Sequence, residues 1–121
     1  MKAPDVSDDA EDRVRRIVDV LIALREGEVT TYGDIAEVAG YPKQARLVGR
    51  ILSTTDVEVP WWRVVNASGR IVSGDLDLQA GLLREENVFV RDGRVVSAPI
   101  GRFSRGQGTD RRTTRPPSSD L

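Results

Sequence analysis

Residues 30 to 55 read T-T-Y-G-D-I-A-E-V-A-G-Y-P-K-Q-A-R-L-V-G-R-I-L-S-T-T, and the Gly40-Tyr41-Pro42 break in the middle constrains the fold more than any other feature. The spacing predicts a short helix before the break, with Thr31 as its cap, Asp34 in capping-box position and Gly40 as its stop. After the break, Pro42 sits at a first helical position, and Leu47, Val48, Ile51 and Leu52 form a buried stripe. Two short helices joined by a tight glycine-containing turn make a helix-turn-helix.

On the second of these helices Lys43, Arg46 and Arg50 recur at three- and four-residue steps and so share one outward face. That pattern fits an ordinary solvated surface and a phosphate-tracking surface equally well. Ala45 and Gly49 lie along the same helix, and their small side chains favour close approach of a partner to its backbone.

The rest of the chain narrows the classes. A length of 121 residues suits one domain with a single compact core. There is no cysteine and no histidine, which excludes thiolate nucleophiles, disulfides, imidazole bases and the usual zinc sites together. The net charge of −1 argues against a generic polyanion binder. Its distribution is uneven, with Asp5, Asp8, Asp9, Glu11 and Asp12 at the start, and Lys43, Arg46, Arg50, Arg63 and Arg70 against only Asp56 and Glu58 between residues 41 and 70. No apolar run is long enough to span a bilayer, and the first residues lack the apolar core of a secretory signal, so the expectation is a cytoplasmic protein.

Val14, Ile17, Val18, Leu21, Ile22 and Leu24 have the spacing of a first helix, from a cap at Ser7 to about Arg25 and ended by Gly27. V-V-N-A-S-G-R-I-V predicts a hairpin around Asn66 to Gly69, residues 77–86 a further helix with Gly81 as its weak point, and V-F-V-R-D-G-R-V-V a second hairpin about Asp92-Gly93. The expected fold is mostly α with small β hairpins. The expected organisation is an acidic flexible segment over 1–12, a domain over 13–100 and a disordered basic tail over 101–121.

Both tryptophans fall together in V-P-W-W-R-V-V, residues 59–65. In a small domain such a pair most often fills the core, and that is the preferred reading of the pair alone. Its surroundings change this. V-T-T-Y-G-D-I-A-E-V-A-G-Y-P-K-Q-A-R-L-V-G-R followed by V-P-W-W-R-V-V-N-A-S-G resembles the DNA-binding domain of the O6-alkylguanine-DNA alkyltransferases over about residues 13 to 95. The family pattern runs S-Y-G-x-[LI]-A-x-x-A-G-x-P-x-x-A-R-x-V-G and then P-C-H-R-V-[VI]. Trp61 stands where the family has its alkyl-accepting cysteine, the substitution that marks the alkyltransferase-like proteins, and Trp62 also replaces the histidine.

The resemblance implies a winged helix-turn-helix-like domain and assigns roles. Tyr32 matches the tyrosine that presses on the phosphate and rotates the nucleotide outward, and Arg46 the finger that fills the vacated place in the stack. DNA contact is expected from Thr31, Tyr32, Gly33, Lys43, Ala45, Arg46, Gly49 and Arg50, and a lesion pocket from Tyr32, Pro60, Trp61, Trp62, Arg63 and Val64. Trp61 then retains the lesion by stacking, whereas Trp62 packs beneath the pocket in the histidine's place. Glu86 matches the glutamate that orients the missing histidine, so here it reads as an ordinary acid at a helix end. The family's asparagine between helix and pocket and its G-x-Y-x-G-G loop have no match, which leaves the pocket's far wall unassigned.

The implied function is non-enzymatic recognition of O6-alkylguanine in duplex DNA through the minor groove, with nucleotide flipping and hand-over to nucleotide excision repair proteins. The expected protein is a monomer with no cofactor, no metal and no catalytic residue. Two alternatives compete: a winged-helix transcriptional regulator reading sequence through Lys43, Arg46 and Arg50, and a residual enzyme using an acid such as Asp75 or Asp77.

Overall fold

Thr31 is where the chain turns from strand to helix, and its hydroxyl does the turning. In the computed structural model, which describes residues 5–104, Thr31 Oγ1 accepts the Asp34 N–H at 3.0 Å. This caps α2 (Tyr32–Ala39), which follows directly on β1 (Glu28–Thr31). Gly40 ends α2 in the left-handed region at φ 99°. Its N–H reaches Glu37 O at 3.0 Å while that of Tyr41 reaches Ala36 O at 2.8 Å, the pair of bonds of a Schellman stop. Only half of the expected capping box forms, because the Asp34 carboxylate accepts from Arg102 at 2.9 and 3.0 Å.

The elements around this motif are α1 (Asp5–Ile22), α3 (Ala45–Thr54), β2 (Val64–Val65), α4 (Leu76–Glu85), β3 (Phe89–Arg91), β4 (Arg94–Ser97) and β5 (Ile100–Gly101). Several boundaries differ from the sequence expectation. Helix α1 begins at Asp5, so Ser7 lies inside it, and it stops at Ile22 well before Gly27. Its buried stripe is Ile17, Val18 and Leu21, whereas Val14 (42%) and Ile22 (53%) are exposed. Pro42 lies in the turn and not in α3: Lys43 takes a left-handed φ of 69°, which no helix tolerates, so α3 starts at Ala45. The tail expected from residue 101 begins later, because Gly101 belongs to β5, Arg102 pairs with Asp34 and Phe103 packs against the core; the remainder, beyond residue 104, lies outside the described residues.

The first expected hairpin does not form as such. The turn at Asn66–Gly69 closes through Asn66 N–H to Arg70 O at 3.0 Å, but the strand before it pairs in parallel with β1, Thr30 opposite Val64 and Thr31 opposite Val65. β5 pairs in parallel on the other side of β1, giving the order β2-β1-β5. Parallel pairing between strands distant in sequence leaves no local turn signal, which is why the sequence suggested a hairpin. The second hairpin is as expected: β3 and β4 are antiparallel about Asp92 (φ 54°) and Gly93 (φ 74°), the signs of a type I′ turn.

Consecutive strand residues point to opposite faces, and β2 uses this to join two cores. Val64 packs into a cluster with Ile17, Leu21, Ile35, Val48 and Ile51 from the three N-terminal helices. Val65 packs into a second cluster with Val29, Ile71, Leu83, Val90 and Val95. The 3-10 turn Trp61–Arg63 immediately precedes β2 and therefore sits at the junction of the two clusters. The fold class is the expected one, with four helices and small sheets among the described residues.

Candidate functional site

Pro60 introduces the 3-10 turn, and the three side chains after it leave in different directions. Both indoles are half-buried, and their rings meet edge to face at 88° with centroids 6.0 Å apart. Trp62 packs against the second core cluster. Its indole N–H donates to Glu86 Oε2 at 2.8 Å, and the Arg63 guanidinium lies 5.2 Å from its ring centroid. Trp61 lies between two cavities and lines both.

The first cavity, of about 310 Å³, is lined by Tyr32, Trp61, Val72, Ser73, Gly74 and Gln79, and by Gly49, Leu52 and Ser53 of α3. The second, of about 600 Å³, lies on the other side of the turn among Ile22, Leu52, Val57, Val59, Pro60, Trp61, Trp62 and Arg63. The expected pocket is thus divided. Tyr32 and Trp61 share the first cavity, while Pro60, Trp62 and Arg63 belong to the second. Val64 belongs to neither, because its side chain is in the helical core. Val72-Ser73-Gly74 and Gln79 of α4, which the sequence left unassigned, line the first cavity together with Tyr32 and Trp61.

The predicted DNA-contacting residues separate in the same way. Arg46 and Arg50 are exposed one turn apart on α3, and neither is paired to a carboxylate among the described residues. Arg46 stands three residues before Gly49 and seven before Ser53, so it rises from the helix face that borders the Tyr32–Trp61 cavity. A β-carbon at Gly49 would meet nothing of this chain within 4 Å. Gly33 is exposed in the first turn of α2 and Ala45 is half-buried at the start of α3. Lys43 is exposed in the turn, off the arginine face because it precedes the helix. Thr31 is buried with its hydroxyl occupied by the cap, so it positions Tyr32 and offers no surface to a partner.

Tyr32 is packed partly against the helical cluster, and burial raises its pKa above the ordinary phenol value, which keeps its hydroxyl protonated at neutral pH.

Glu86 is not the ordinary surface acid the sequence suggested. It is 9% exposed, and four donors converge on it. Arg63 Nε donates to Oε1 at 2.9 Å and Arg63 Nη2 to Oε2 at 2.7 Å, the Gly27 N–H donates to Oε1 at 2.8 Å, and Trp62 supplies the fourth bond. Arg63 Nη1 reaches on to Leu24 O at 2.8 Å. The carboxylate thus binds the Trp61–Arg63 turn to the loop after α1. Burial pushes the Glu86 pKa up, but hydrogen bonds from Arg63, Gly27 and Trp62 and the charge of Arg63 together outweigh it and leave the value below 4.5.

With the folded value below the unfolded one, the unfolded chain takes up this proton first as the pH falls. The contribution of Glu86 to stability is therefore complete at neutral pH, declines from about pH 4.5 downward and is gone below its folded value. Thermal denaturation between about pH 6 and pH 3 should show the midpoint falling in that window, with a shallower fall in Glu86→Gln.

Sequence reasoning missed Gln79, Val72, Ser73 and Gly74 as cavity walls and Glu86 as a hub. For Gln79 a signal existed, a polar residue on the stripe that Ala80 and Leu83 define as buried. Among the described residues no three metal-ligating side chains come together.

Comparison with known proteins places this geometry. Residues 12–88 match the family model described as the 6-O-methylguanine DNA methyltransferase, DNA binding domain. A protein of Escherichia coli (strain K12) named DNA base-flipping protein is 40% identical over 85 residues, 69% of this chain; the match spans 63% of that protein's length. Alkyltransferase-like protein 1 of Schizosaccharomyces pombe is 35% identical over 91 residues, covering 73% of this chain and 82% of that protein. The crystal structure of S. pombe Atl1 in complex with damaged DNA containing O6-carboxymethylguanine superposes with a TM-score of 0.60 at 32% identity, covering 67% of this chain and 81% of that one. The chain therefore belongs to the family of the 6-O-methylguanine DNA methyltransferase DNA-binding domain, on its alkyltransferase-like branch.

Proposed function

We propose that this protein recognises alkylated guanine in duplex DNA by rotating the damaged nucleotide into the Tyr32–Trp61 cavity and holding it there unreacted. The observation that carries the reading is the shared cavity: Tyr32 and Trp61 both line it, together with Gly49, Leu52 and Ser53 of the helix that bears Arg46. Extraction of a base costs a few kcal/mol, less for a lesion that already pairs badly, and stacking recovers about 1–3 kcal/mol per base. Trp61 supplies the stacking surface, Tyr32 presses the phosphate, and Arg46 fills the gap left in the duplex.

The names and complexes of the relatives, base flipping in one and damaged DNA in the other, support extending this role to the present chain. Transfer of the alkyl group has no acceptor, since the sequence contains no cysteine and an indole is not a nucleophile toward an alkyl ether at neutral pH. A protein that holds a lesion and leaves it in place serves repair by display, so nucleotide excision repair proteins are the proposed partners, with one copy of this chain per lesion and the compartment that holds the DNA as its place of action.

The test is recovery of both components. Protein incubated with an O6-methylguanine duplex should form a stable complex, and after separation the intact protein should have unchanged mass and the DNA its full lesion content. A protein heavier by one methyl group, or DNA with the lesion lost, contradicts the proposal.

A further inference from the structure

Helix α4 carries one polar side chain into the interior. Gln79 is 1% exposed, and its Nε2 donates to Trp62 O at 2.9 Å and to Val64 O at 3.0 Å. Those two carbonyls decide which end of the amide is nitrogen, because the flipped amide would set oxygen against oxygen twice. The other end, Oε1, is buried with no hydrogen-bond partner among the described residues. Buried amide oxygens are rarely left this way, and an orphan in a native fold calls for an explanation. The same residue lines the cavity of Tyr32 and Trp61.

Guanine chemistry identifies the partner that would satisfy it. Alkylation at O6 removes the proton from N1, and N3, N7, O6 and N1 are then all acceptors. The 2-amino group is the one N–H donor left on the base. We propose that Gln79 Oε1 accepts a hydrogen bond from the 2-amino group of the everted base, which makes Gln79 a specificity-determining residue for guanine-type lesions. Oε1 is covered in the free protein, so the bond forms as the cavity wall relaxes around its occupant. An O6-alkylated hypoxanthine and an O4-alkylated thymine offer no donor and leave the oxygen orphaned. The inference rests on the cavity being the seat of a flipped base, and it adds which base edge the cavity reads.

The test is a two-by-two comparison of affinities by fluorescence anisotropy. Wild type and Gln79→Lys are titrated with duplexes identical except for O6-methylguanine or O6-methylhypoxanthine at one position. Lysine keeps N–H donors for the two carbonyls and has no acceptor. The cost of extracting each base enters both rows equally and cancels in the ratio of ratios. The preference for the amino-bearing lesion should be about five- to tenfold greater in wild type than in Gln79→Lys, the worth of one neutral hydrogen bond. The same preference in both proteins overturns the role of Gln79. A third duplex with unmodified guanine separates the two levels: if wild type binds it as well as O6-methylguanine, the base-flipping reading fails and takes this inference with it. Should the melting curve show that Gln79→Lys does not fold, Gln79→Leu, which also lacks an acceptor, gives the same ratio.

Discussion

Arg46→Ala is expected to weaken binding to an O6-methylguanine duplex by about 10- to 100-fold, the loss typical of truncating a dominant interface residue, and Tyr32→Ala by a similar factor. In the proposed mechanism the two act at different moments. Tyr32, at the first position of α2, lines the cavity, from which it would press the backbone that must rotate. Arg46 is exposed on the helix that also lines this cavity, and on this proposal it fills the place the nucleotide has left, so its removal would let the base fall back. Folding should be nearly untouched by Arg46→Ala, because the side chain is exposed and such substitutions stay within about 0.5 kcal/mol. Tyr32 also packs against the helical core, so Tyr32→Phe is the companion variant: it retains the ring and removes only the hydroxyl. Anisotropy titration measures the affinities and circular dichroism melting the stabilities. Unchanged affinity in a folded Arg46→Ala protein contradicts the assignment.

Glu86→Ala should be the most damaging single substitution to stability, costing about 3–5 kcal/mol, because it removes one partner of a buried ion pair and leaves the Arg63 guanidinium without its counter-charge. The side chains of Arg63 and Glu86 are 13% and 10% exposed, so water replaces the lost bonds poorly. The Gly27 N–H and the Trp62 indole lose their acceptor in the same step. A loss of that size lowers the melting midpoint by roughly 10–25 °C in a domain of this length. The turn that carries Trp61 is tied to the loop after α1 through this carboxylate, so lesion binding should fall with stability. A midpoint within about 2 °C of wild type would show that the hub contributes little.

The parts of this protein that the sequence made legible are those governed by local chemistry. Thr31 and Gly40 bracket α2 because a hydroxyl cap and a left-handed stop act on neighbouring residues, and Asp92-Gly93 makes its turn for the same reason. The parts that stayed hidden depend on distant segments. Val64-Val65 looked like one arm of a hairpin, yet it pairs with β1, more than thirty residues earlier, and nothing near it in sequence records that partner. Glu86 looked like a surface acid because its donors, Gly27, Trp62 and Arg63, arrive from two other segments. The candidate site divides along the same line. The family spacing singled out Tyr32, Arg46 and Trp61; Tyr32 and Trp61 line one cavity, and Arg46 is exposed on the helix whose Gly49, Leu52 and Ser53 also line it. Pro60, Trp62 and Arg63 stand next to Trp61 in sequence and share the second cavity with it, but Trp61 alone of the four also lines the cavity of Tyr32. Gln79 and the Val72-Ser73-Gly74 wall come from segments whose approach only the folded chain reveals.

The most direct test of lesion recognition is a titration of the wild-type protein, followed by tryptophan fluorescence, with two duplexes that differ only in carrying guanine or O6-methylguanine. Binding at least about tenfold tighter to the methylated duplex, with the indole signal changing as Trp61 takes up the stacked base, is the predicted result. Equal affinity for the two would contradict it and would return Arg46 and Arg50 to the surface of a DNA-binding regulator indifferent to damage.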